Sequence, residues 1–64
     1  MNKFITLTDA STHRKVVVNT HNIAYMEENK NKYTIIYFVS ALSTDLACVV
    51  VKEAIEDVQR KMYL

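Results

Sequence analysis

The chain has no glycine and no proline anywhere in its 64 residues. Every reversal must therefore be made by residues that carry a Cβ atom and a backbone N–H. Left-handed backbone positions fall to Asn, Asp, Ser or His, which tolerate them better than other side chains. Longer turns are expected in place of tight two-residue hairpins, whose backbone angles favour Gly. The same absence removes whole classes of chemistry. A Walker loop, a dinucleotide fingerprint, an EF-hand loop and a nucleophile elbow each need Gly for close backbone approach or a positive φ.

The strongest pattern lies in residues 49–62. Val49, Val50 and Val51 are β-branched and suit a pleated, buried surface. From Lys52 the period changes. Val51, Ala54, Ile55, Val58 and Met62 share one face at helical spacing, and charged or polar residues fill the rest. Acids precede bases along this segment, which suits the helix dipole. Glu56 with Arg60 and Asp57 with Lys61 are expected as surface pairs worth about 0.3–0.5 kcal/mol each. The charged face is read as solvated. A helix of about eleven residues is marginal alone in water, so its apolar stripe must dock on the preceding chain.

That preceding chain reads as strands. The expected spans are 3–8, 15–19, 23–27, 33–39 and 46–51, with the helix at 53–63, all in one domain, 1–64. Residues 9–14, 19–22 and 28–32 are polar breaks, and 40–45 is a loop. In 28–32 the two asparagines are expected to supply the unusual backbone angles. Residues 33–39 are apolar on both faces, which fits a central strand or an edge strand covered by another subunit. Short strands without long crossovers argue for a mainly β (β+α) fold: a five-stranded antiparallel meander or partly open small barrel with one C-terminal helix.

A chain this short buries only about 60% of its unfolded surface. Half of its residues are nevertheless hydrophobic, and both facts favour a homo-oligomer. The net charge of +1 leaves no electrostatic footprint for nucleic acid or an anionic membrane. No apolar run approaches the ~20 residues of a membrane span, and no signal peptide is recognised, so a cytoplasmic location without membrane insertion is expected. Cys48 sits among Leu46, Ala47 and Val49 and is read as a buried hydrophobe. It shares no zinc spacing with His13 or His21. Glu27 with Glu28 and Glu56 with Asp57 are paired only in sequence; the first pair, on a strand, points to opposite faces and does not converge like a catalytic dyad, and both pairs are read as solvated. No catalytic residue, cofactor site or metal site is assigned.

The remaining candidates are aromatic and basic. Tyr25, Tyr33 and Tyr37 on one sheet face, with Arg14, Lys30 and Lys32 nearby, form a candidate interaction surface. Read as amphipathic strand residues, they belong to a sheet or subunit interface. Read with the bases, they form a platform for single-stranded nucleic acid. The protein-interaction reading is preferred, because the bases are few and offset by acids.

Three pieces of the chain carry a family resemblance. They are Ile5-Thr6-Leu7-Thr8, then Val18-Asn19 with Ile23, then Val51-Lys52-Glu53-Ala54-Ile55-Glu56-Asp57-Val58. Together they resemble the FlbD-type family of small flagellar and swarming motility proteins. Those proteins open on a strand and end in a strand followed by an acidic-then-basic helix. The family typically has Gly in its first and fourth turns and often Ser where Ala54 stands. The resemblance implies a small β-rich fold and a supporting role in motility. Locally, Asn22-Ile23-Ala24-Tyr25-Met26-Glu27 followed by Tyr33-Thr34-Ile35 resembles the strand pair of LytTR-type DNA-binding domains. The expected function is a non-enzymatic small protein-interaction or structural module. The alternative is a small DNA- or RNA-binding regulatory module.

Overall fold

The computed structural model describes residues 2–39 and 47–64. The expected loop at 40–45 and Leu46 lie outside them. Five strands and one helix follow in chain order: β1 (Phe4–Thr8), β2 (Lys15–Asn19), β3 (Ile23–Glu28), β4 (Thr34–Phe38), β5 (Ala47–Val51) and α1 (Ile55–Tyr63). All strand pairings are antiparallel, so the expected mainly β architecture with a C-terminal helix is the one observed.

The strands divide into two sheets, β1–β2 and β3–β4–β5, and the barrel is not closed. The meander is interrupted between β2 and β3, where a 3₁₀ turn, Thr20–Asn22, replaces a hairpin. Asn19 Oδ1 caps this turn by accepting from His21 N at 3.0 Å. The Thr20 hydroxyl is buried and donates to the carbonyls of Asn2 and Lys3 at 2.7 and 3.0 Å. The chain is thus pinned to the start of β1 instead of turning back along β2. The sheets meet at one corner. There Asp9 bridges Val51, Ala10 N donates to Val50 O at 2.8 Å, and Lys52 N donates to Thr8 O at 2.9 Å.

Without Gly, the two hairpin turns among the described residues are long and held by side chains. In turn 9–14, Asp9 Oδ1 accepts from the Ser11 hydroxyl at 2.7 Å, Ser11 N at 2.8 Å and Thr12 N at 3.1 Å. These donors, the Ser11 hydroxyl foremost, hold the Asp9 carboxyl below its ordinary pKa. His13 takes the left-handed position, φ 61°. In turn 29–33, Asn29 Oδ1 accepts from Asn31 N at 2.9 Å and Tyr33 N at 3.0 Å. Here the expectation is corrected. Lys32, not an asparagine, takes the left-handed angle, φ 64°. Asn29 serves through its side-chain oxygen instead.

The core joins the inner faces of both sheets to the helix. Leu7, Ile36, Val51 and Val58 are at most 1% exposed, and Ile5, Val18 and Met62 complete the cluster. From the helix stripe, Val51, Val58 and Met62 are buried, while Ala54 and Ile55 are partly covered. Helix α1 contacts β1 and β3, so it fills the open side between the sheets. It begins at Ile55, two residues later than the expected 53. The delay has a cause. Glu53 turns its side chain to β1, where its carboxylate accepts from Thr8 N at 2.9 Å and the Thr8 hydroxyl at 3.0 Å. Partial burial raises the Glu53 carboxyl, but the Thr8 donors and the Lys61 charge outweigh it and leave its pKa below the ordinary value. The expected Glu56–Arg60 and Asp57–Lys61 pairs are replaced. Arg60 Nη1 reaches Asp57 Oδ1 at 2.7 Å, one residue closer along the helix. Lys61 Nζ donates to Thr6 O of β1 at 2.8 Å, a contact across elements that helical spacing does not reveal.

Candidate interaction face

Register decides what each strand shows to solvent. Tyr25 pairs with Tyr37 and Glu27 with Ile35 across β3 and β4; Tyr37 pairs with Cys48 and Ile35 with Val50 across β4 and β5. Directly paired residues share a face. Met26, Ile36 and Val49 therefore point to the core. Tyr25, Glu27, Ile35, Tyr37, Cys48 and Val50 lie together on the outer face of the three-stranded sheet. A bulge between Ile23 and Tyr25 makes this possible, because it lets both Ile23 and Met26 pack inward.

At the middle of this face the rings of Tyr25 and Tyr37 stack, with centroids 4.4 Å apart and planes inclined by 18°. Tyr25 remains 51% exposed. The Tyr37 hydroxyl donates to Glu27 Oε1 at 2.7 Å. That bond to the Glu27 carboxylate, aided by partial desolvation, pushes the phenol up to about 12. Among the described residues of this face named above, Glu27 is the one charged member, and it is tied to the face by that bond. Cys48 is exposed here, which corrects its expected burial. Its apolar neighbours are shared between two faces, and Val49 and Val51 take the inward positions.

The sequence-derived surface is only partly brought together. Tyr25 and Tyr37 meet. Tyr33 lies four residues before Tyr37, a separation of about 13 Å along an extended strand. Arg14, Lys30 and Lys32 sit in the two hairpin turns, away from the stacked pair. Those turns flank an open groove of about 420 Å³ that shares Cys48 and Val50 with this face and is otherwise lined by residues 9–11 of one turn, Asn29, Asn31 and Tyr33 of the other, and Val49. A nucleic-acid platform needs bases and rings side by side, but a carboxylate stands next to the stacked rings instead. Ile35, Cys48 and Val50 were missed as face residues. Alternation marks each as one of a pair of faces, but only strand register says which face is outside.

Among the described residues, no group of three or more His, Cys, Asp or Glu side chains is placed to hold a metal ion, and no helix is long and apolar enough to cross a membrane. The fold and its face define a small mainly β module with an uncovered aromatic sheet. No family model, curated protein or solved structure matches the chain.

Proposed function

We propose that the chain is a non-enzymatic protein-interaction module whose first partner is a second copy of itself, docked through the outer face of the β3–β4–β5 sheet. The observation that carries this reading is the exposed Tyr25–Tyr37 stack within a face whose paired residues among the described ones carry a single charge, Glu27. An exposed aromatic centre depleted of charge has the layout of an interface core. A two-fold dimer places the same patch on both sides. This patch meets itself with little like-charge cost, because Glu27 lies off the stacked centre and is already bonded to Tyr37. The thin core of so short a chain gives a further reason to bury more surface by association. A supporting role within a larger assembly, as the motility resemblance implies, is the setting we propose for it.

Light scattering at micromolar concentration tests the reading. The expected species is a dimer, and Tyr25→Lys is expected to return it to a monomer without changing its circular dichroism. A monomeric parent protein would overturn the proposal. Salt-dependent retention of a labelled oligonucleotide would favour the alternative nucleic-acid module.

A further inference from the structure

The two sheets are each held by a five-residue ladder along at least one strand pair, but the backbone link between them is short. Among the described residues it consists of the Asp9–Val51 bridge and the bonds Ala10 N to Val50 O and Lys52 N to Thr8 O. One side chain spans this same corner. Glu53 closes it from the β5–α1 connection with both carboxylate oxygens, one on the Thr8 amide and one on the Thr8 hydroxyl. Its own backbone is fixed from the other side, because the fully buried Thr34 hydroxyl donates to Glu53 O at 2.7 Å. Glu53 is therefore anchored to the three-stranded sheet and grips the two-stranded one. The corner also borders the 420 Å³ groove, since Ala10 and Val50 line it.

We infer that Glu53 is the clasp of a local gate: releasing it lets residues 8–10 lift from β5 and widens the groove while both sheets stay folded. Charge-assisted bonds of this kind are stronger than neutral ones, so the grip depends on the carboxylate. Ile5 and Leu7 stay packed in the core, which confines the movement to the end of β1. When the corner opens, Ala10 N, Val50 O, Lys52 N and Thr8 O lose their partners together.

Amide hydrogen exchange followed by NMR tests the clasp. Glu53→Ala is expected to speed exchange at Ala10 and Lys52 by about ten-fold or more relative to the amides of the β3–β4 ladder. Glu53→Gln keeps the shape without the charge and is expected to give a smaller acceleration at the same two sites. Thr8→Val removes only the hydroxyl partner, and it reports on the clasp if Glu53→Ala fails to fold. Equal acceleration of all protected amides would overturn the inference, because Glu53 would then serve overall stability alone. Unchanged exchange at Ala10 and Lys52 would overturn it as well.

Discussion

Helix α1 has an alanine as its N-cap, and Ala54→Ser is expected to stabilise the protein. Ala54 has the extended N-cap geometry, φ −65° and ψ 156°, but no side-chain oxygen to offer. Its carbonyl already accepts from Asp57 N at 2.9 Å and Val58 N at 3.0 Å. The first amides of a helix have no intrahelical acceptor, and Ile55 and Glu56 occupy those places here. A serine hydroxyl in the existing backbone geometry reaches the Glu56 or Asp57 amide. The gain expected for a good cap over Ala is about 1 kcal/mol, within a range of about 0.5–2 kcal/mol. For a domain of this size 1 kcal/mol corresponds to a rise of about 4–8 °C in Tm. Serine is preferable to aspartate, because Glu53, Glu56 and Asp57 already crowd this end with negative charge. Thermal and urea melts followed by circular dichroism read the change, with an unaltered urea slope showing that the unfolded state is the same. Ala54→Gly is an internal control and should recover part of the gain, since Gly caps better than Ala. A serine variant that melts at or below the parent would refute the reasoning, for it would mean that the helix start lacks nothing a side-chain oxygen supplies.

Lys32→Gly should raise stability in urea melts by about 1 kcal/mol, because Lys32 holds a φ of 64° that costs a side chain with a Cβ about that much. Ultraviolet titration should show the Tyr37 phenol ionising at about 12 in the folded protein, and Glu27→Gln should bring it down. The raised pKa fixes the sign of the linkage. The Tyr37–Glu27 bond contributes fully below the phenol's unfolded value near 10, and the contribution fades as pH rises through about 12. Glu27→Gln should therefore flatten the loss of stability in that alkaline window.

By itself the sequence determined the kinds of element and their order. The switch from period two to helical spacing near Lys52 places a strand before a helix whatever the rest of the chain does, and Val51, Val58 and Met62 are buried as that spacing requires. Strand β4 is central, in keeping with its apolar residues on both faces. The lack of Gly is met in turns 9–14 and 29–33 by long polar segments that Asp9 and Asn29 hold through side-chain oxygens. Only the tertiary structure decided how the elements are used. Alternation along a strand assigns residues to two faces without saying which is outside, and one step of register exchanges them. Cys48 is therefore exposed and Val49 turned inward. The split between β2 and β3 depends on Thr20 finding carbonyls of Asn2 and Lys3, 18 and 17 residues away in the chain. The stacked Tyr25–Tyr37 pair needs the bulge beside Tyr25, which no local pattern announces. Glu53 looks like one more charge on a helix until Thr8 is brought beside it. Local periodicity is a property of the chain alone, whereas facing, pairing and the partner of a polar side chain depend on segments that only folding brings together.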